Sequence, residues 1–374
     1  MSTIYTCAED YLDSATRTVS SEDSEFPDSN LYDQSIRGKV WRSAGYFVIT
    51  SANKGIVFNI GAGDVTANIA EASYTNITTF LAAVVTALNA AAAGTYTATQ
   101  NATTKKIVLT KSAGTFSLLW TDAGSTAADV LGFDTGADDT GALTYTADVV
   151  RIHTEEWIKW DLGASSNPDI FIAIGKKSQA IKISESATLK LQGNSSDSWA
   201  SPLYEQTLTY DELAIMDIKT SGDEGLHSSA LRYWRLSIID KANSNGYVEL
   251  SNVYLGEYYA PSQGVPQFPI SWSGIDYSSK NRFQSGAQSA IRRNRSEGFS
   301  VKWFALTNTE KEQFDSFNLD VGDSKPLYLV MDPDAVFSSS QNYSVRYVKF
   351  NQPMSMSLDL PGKWSSDWSL EEMT

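Results

Sequence analysis

The sequence predicts a mainly β protein: a β-sandwich interrupted by a small α+β insert, followed by a C-terminal β-barrel-like domain with one short helix. Three observations predict it. Short segments rich in Val, Ile, Thr, Tyr and Trp recur between clusters of Gly, Ser, Asn and Asp, the alternation of strands and turns. Composition shifts near residue 53, where Ala, Thr and Gly take over and basic residues almost vanish. Residues 258–269 hold three prolines and a glycine in twelve positions, which no regular element tolerates. At 374 residues the chain also exceeds one core of ordinary size and fits two or three domains.

The elements follow in order. Residues 45–50 (GYFVIT) read as a strand, and residues 1–53 open the sandwich. Within the insert, 54–147, Ile77, Leu81, Val84, Val85 and Leu88 recur at helical spacing, with Asn76 as N-cap and Gly94 past the C-terminus. Strands at 94–100, 106–110 and 114–120 follow. The sandwich resumes over 148–258, with strands at 157–160, 169–174 and 233–239 and a cleanly alternating one at 187–192, as expected where one face is wet. Residues 259–269 form a linker. Beyond it, over 270–374, Thr307 and Glu310 make a capping box before Phe314 and Phe317, which predicts a helix in a Trp-rich β domain.

Charge and side-chain inventory remove several functions. With Lys+Arg 29 against Asp+Glu 44 the net charge is -15, so specific nucleic-acid binding is not expected, since phosphate contacts need clustered cations. One cysteine excludes disulfide scaffolds and Cys-based zinc sites. The two histidines, His153 and His227, read as loop or edge residues, and no Gly-x-Ser-x-Gly elbow or phosphate-binding loop is present. Glu155–Glu156 and Glu371–Glu372 are adjacent and would face opposite ways in strands. Glu22, Asp23, Glu25 and Asp28 read as a solvated loop, while 132–141 is an oxygen-rich loop with calcium binding as the lesser reading. No catalytic, cofactor or metal residue is assigned. The start lacks a basic and apolar leader and no run is long enough to span a bilayer, so a chain made in a cytoplasm without membrane insertion is expected.

Several segments resemble the discoidin, or galactose-binding-like, β-sandwich family. The carriers are Asn30-Leu-Tyr-Asp33, Val40-Trp-Arg-Ser43, the strand Trp157-Ile-Lys-Trp closing in Asp161-Leu-Gly163, Leu231-Arg-Tyr-Trp-Arg-Leu-Ser-Ile-Ile239, and the closing strand within 246–255. The disulfide of secreted members is absent. The same sandwich recurs in phage tail and baseplate proteins. The Ala/Thr-rich helix 79–89 with Leu131-Gly-Phe133 resembles inserts of phage tail and flagellar hook proteins. Leu306 to Phe314, Lys325-Pro-Leu-Tyr-Leu329 and the terminal Trp364-x-x-x-Trp368-x-Leu-Glu resemble the barrel of distal tail proteins.

That resemblance implies a structural virion component of the tail tip. It would form a ring with itself, six-fold as in the family, at the end of the tail tube, and serve as a platform for other baseplate and tail-fibre proteins. Against the acidic background stand Lys280, Arg282, Arg292, Arg293 and Arg295, with Lys302 beyond, read as subunit contacts or as a solvated hairpin tip, with DNA in a tail lumen as a third use. The alternative is an adhesin or receptor-binding module that recognises host surface glycans, in which Trp199 and Tyr204 stack on sugar rings.

Overall fold

In the computed structural model the β-rich segments form antiparallel ladders, and among the described residues three α-helices accompany them at Ile77–Ala91, Ala128–Leu131 and Asn308–Val321. The structure describes residues 4–7, 9–32, 39–43, 47–74, 76–151, 155–175, 181–211, 214–219, 225–240, 243, 245, 247–261, 265–266, 271–282, 288–291, 295–323, 325–331 and 345–373. The architecture is the expected one: mainly β, a sandwich interrupted by an α+β module, then a β domain with one helix.

The sandwich packs a five-stranded sheet on a three-stranded one. The first runs in the order Tyr204–Leu208, Thr188–Asn194, Leu231–Ile239, Glu156–Ser166, Thr16–Val19; the second in the order Ala214–Ile218, Ile170–Ile174, Asn252–Gly256. Period-2 alternation drives Ile158 and Trp160, Leu189 and Leu191, and Trp234, Leu236 and Ile238 inward, where they meet Trp41, Phe171 and Leu255 in one buried cluster. The three largest of these side chains place their indole N–H groups on protein oxygens: Trp41 on the Ser21 carbonyl, Trp160 on the Tyr32 hydroxyl, Trp234 on the Leu231 carbonyl. Where the residues suggest a polar turn, Asp161-Leu-Gly163 instead stays within the Glu156–Ser166 strand as an irregularity: the ladder to Leu231–Ile239 shifts register between Asp161 and Ser166, and Gly163 sits at φ +75° with its N–H donating to Asp161 Oδ1 at 2.9 Å.

The inserted module has its own core, and it starts earlier than the composition shift suggests. Phe47 and Ile49 belong to it, because Phe47–Ile49 pairs with Ala72–Tyr74 and the Phe47 ring stacks on Phe80 at 4.3 Å. Asn76 caps the helix as expected, its side chain accepting from the Thr79 N–H at 2.9 Å, and Gly94, at φ +138°, lies past the C-cap Ala92.

The last third differs from expectation in three ways. Its eight-stranded sheet follows an open path, Ile4–Cys7, Leu327–Met331, Val345–Phe350, Lys363–Glu372, Arg295–Leu306, Val265–Pro266, and does not close into a barrel among the described residues. Its edge strand, Ile4–Cys7, is the start of the chain, which therefore leaves the sandwich assigned to 1–53. The described residues of the segment read as a linker, 259–261 and 265–266, also reach the rest of the fold. Tyr259 exchanges both backbone hydrogen bonds with Thr6 and its ring meets Phe314 edge-on at 5.2 Å, while Val265–Pro266 pairs with Phe304 and Trp303. The capping box is as read: Glu310 N–H donates to Thr307 Oγ1 and Thr307 N–H to Glu310 Oε2.

The two β domains share a core. Phe171 and Ala173 point into the sandwich, while Ile170, Ile172 and Ile174 of the same strand pack with Met216, Tyr254, Tyr328, Val330, Val345 and Tyr347. All five residues of Ile170–Ile174 are buried because a second sheet covers the outer side of the three-stranded sheet. Among the described residues no second sheet covers the outer side of the five-stranded sheet.

Candidate functional site

The outer side of the five-stranded sheet is built by the same alternation that fills the core. Register lines up Glu205, Gln192, Arg235, Lys159 and Thr18 as one row across all five strands. The rows beside it carry Thr207, Lys190, Ser237 and Trp157, and then Asn194, Tyr233, Asp161 and Thr16.

Trp199 reaches this face from the loop between the Thr188–Asn194 and Tyr204–Leu208 strands. The loop folds back because Asn194 Nδ2 donates to the Ser198 carbonyl at 2.6 Å. The indole N–H donates to Asp197 Oδ1 at 2.8 Å, and Asp197 is held in turn by Lys159 Nζ at 2.7 Å. Beneath the ring lies the Arg235 guanidinium, 5.0 Å from its centroid. Arg235 Nε donates to Gln192 Oε1 at 2.7 Å, and Gln192 Nε2 to Glu205 Oε2 at 2.6 Å. Gln192 and Asn194 are buried although they point away from the core, because the loop covers them. A partly exposed tryptophan is thus fixed at its polar edge and on one face before any ligand arrives.

The charges on this face cancel in pairs: Lys159 with Asp197, Lys190 with Glu205, Arg232 with Asp161 and Arg235 with Glu155. The Arg232 fork donates to both Asp161 oxygens at 2.6 and 2.8 Å and, with the Gly163 N–H, holds that carboxyl below its ordinary range. Lys159 does the same for Asp197, and Lys190 with Gln192 for Glu205. Burial lowers the Arg235 pKa, opposed by the surrounding carboxylates. Each pair leaves donors and acceptors side by side, the requirement for a polyhydroxyl ligand.

Tyr204, the other aromatic singled out in the sequence, does not share this surface. Its ring packs at 5.5 Å from Trp234, on the core side, and edge-on to His227 at 6.1 Å, while its hydroxyl donates to Asp217 Oδ2 at 2.5 Å. Burial pushes up the pKa of both Asp217 and Tyr204. Tyr204 props one end of the sandwich. Trp157 and Tyr233 are the aromatics that do stand on the outer face with Trp199, and the sequence reading did not single them out.

Of the basic residues, Arg292 and Arg293 lie outside the described residues, as does His153. Lys280 and Arg282 fall on the Ser279–Arg282 strand, whose register sets them opposite Ala290 and Gln288, and Arg295 begins the Arg295–Leu306 strand opposite Asp276. Lys302 pairs with Asp367 at 3.5 Å. A separate cleft of about 550 Å³, between the sandwich and the Asn308–Val321 helix, is lined by Glu9, Asp10, Asp13, Glu257, Asp320 and Lys325 among others. Burial raises the Asp10 carboxyl to about 8, against the N–H groups of Leu12 and Leu255 that it accepts from. Among the described residues no group of three or more His, Cys, Asp or Glu side chains is placed to hold a metal ion.

No family model and no curated protein matches the chain. Solved structures do. The family 32 carbohydrate-binding module of NanJ from C. perfringens, solved with galactose, matches at 8% identity over 68% of this chain and 99% of its own, with a TM-score of 0.29. A Streptococcus pneumoniae fucose-binding module matches at 15% identity over 28% of this chain and 68% of its own, with a TM-score of 0.21. A fucolectin from striped bass serum matches at 11% identity over 68% of this chain and 98% of its own, with a TM-score of 0.20. None of these three is a tail or baseplate protein.

Proposed function

We propose that the chain is a non-catalytic carbohydrate-binding protein that recognises glycans on the outer face of its five-stranded sheet. The observation that carries this reading is Trp199: a partly exposed indole, anchored through Asp197 to Lys159 and backed by Arg235, set in a face of paired charges and amides. Aromatic stacking on the apolar side of a sugar ring, with hydroxyls taken up by the flanking ion pairs, needs that combination of groups. A glycan array probed with the full chain tests it. Binding should fall about tenfold or more in Trp199→Ala, as for a central aromatic anchor, with the thermal midpoint little changed. An unaffected Trp199→Ala, or a wild-type chain that binds no glycan, would contradict the reading.

A second reading, assembly into a ring as a tail-tip component, draws support from a different surface. Leu358 and Leu360, 56% and 65% exposed, and Ile291, 60% exposed, stand out from hairpins of the C-terminal domain. Exposed apolar side chains at hairpins suit contacts between copies or with neighbouring proteins. Light scattering of the full chain separates the cases: a multimer that Leu358→Ser with Leu360→Ser reduces to a monomer supports assembly, and a concentration-independent monomer argues against self-assembly in solution.

A further inference from the structure

The three outer-face aromatics form a line. Trp157 lies opposite Ser237, Lys159 opposite Arg235, and Asp161 opposite Tyr233, so Trp157, the Arg235 position that Trp199 covers, and Tyr233 follow one another at two-residue steps along two neighbouring strands. At the rise of an extended chain that places the ends of the line ~13 Å apart along the strands. Each ring has a cation beside it: Lys159 Nζ 5.3 Å from Trp157, the Arg235 guanidinium 5.0 Å from Trp199, and the Arg232 guanidinium 5.1 Å from Tyr233. A pocket for one terminal sugar would converge on one ring. Three rings in file suit a ligand that is itself extended.

Charge decides the class of ligand. The chain carries a net charge of -15, yet the four cations of this face are each matched by a carboxylate. A patch evolved for a sulfated or carboxylated glycan would show surplus cations, and among the described residues of this face none remains once the four pairs are made. The paired groups keep spare lone pairs and N–H donors, and Thr16 and Thr18 add exposed hydroxyls along the Thr16–Val19 edge.

We propose that the outer face binds a linear, uncharged oligosaccharide laid along the strands, with Trp157, Trp199 and Tyr233 as successive stacking positions. The proposal rests on the carbohydrate-binding reading and adds chain length, direction and neutrality to it. Full-length protein is tested on an array of linear neutral, linear acidic and branched glycans. Calorimetry on the neutral glycans bound then compares fragments from one sugar unit upward. Affinity should rise at least tenfold from one unit to three and fall about tenfold in Trp157→Ala and in Tyr233→Ala, with Trp157→Phe and Tyr233→Phe retaining binding because a flat ring remains. Equal affinity for the single sugar and the chain, a preference for acidic glycans, or indifference to both alanine variants while Trp199→Ala abolishes binding, would overturn the extended-chain proposal and leave glycan binding standing. Binding to no glycan on the array would overturn both.

Discussion

Trp199 and Tyr204 show what a single residue's neighbours do to its role. Both sit near the same strand, both are aromatic among small polar residues, and the sequence treats them alike. Their partners separate them: Arg235 and Asp197 present Trp199 outward, while Trp234, His227 and Asp217 retain Tyr204 inward. Tyr204→Phe removes the hydroxyl that satisfies the buried Asp217 carboxyl, and should cost about 1–3 kcal/mol in urea unfolding while leaving glycan affinity unchanged. Loss of affinity with full stability would place the site at the Tyr204 end instead. Asp10 supplies a pH signature. Its carboxyl is raised to about 8 in the fold from an ordinary 3.8, so its favourable contribution is complete below pH 4 and is lost as the pH climbs toward 8. Asp10→Asn keeps an oxygen to accept from the Leu12 and Leu255 N–H groups and should flatten that decline, raising the melting point at pH 8 and leaving it unchanged at pH 4. Parallel profiles for the two proteins would contradict the assignment. The outer face of the five-stranded sheet behaves differently, because the carboxyls of Asp161, Asp197 and Glu205 lie below their ordinary range and His227 packs on Tyr204 rather than among them. Glycan affinity should stay level from pH 5 to pH 9.

At the scale of elements, local signals were legible and distant pairings were not. The Asn76 cap and the Thr307–Glu310 box each depend on residues within a few positions of one another, and each forms as its chemistry dictates. The Ile4–Cys7 strand shows the opposite case: its partner lies at Leu327–Met331, and nothing within four residues could announce it. The line of Trp157, Trp199 and Tyr233 was hidden for a related reason. Alternation says that Trp157 and Tyr233 leave the core, but only the register between their strands puts them in file. The Ile170–Ile174 strand reads as a fully buried run, which the sequence shows without naming the two bodies that bury it. Ile172→Ala should therefore cost about 2–5 kcal/mol, and because Ile172 points toward the C-terminal sheet it should loosen both domains together. A variant that melts in two steps, the C-terminal sheet unaffected, would contradict the shared core.

Over the whole molecule, the C-terminal sheet, including the strand that starts the chain, is the outer layer against the three-stranded sheet, and the inserted module holds a separate core spanning Phe47 to Ala147. Cutting the chain after residue 260 would strip the cover from Ile170, Ile172, Ile174 and Tyr254, so an isolated sandwich is expected to aggregate, and binding is best measured on the full chain. Among the described residues no second sheet covers the outer side of the five-stranded sheet, and that side carries the three aromatics and the matched charges. A crystal structure of the full chain with a neutral oligosaccharide from the array is the most direct measurement of the central claim. Sugar density running along the strands over Trp157, Trp199 and Tyr233 is the predicted result; sugar held at the Tyr204 and His227 end, with the sheet face bare, would contradict it.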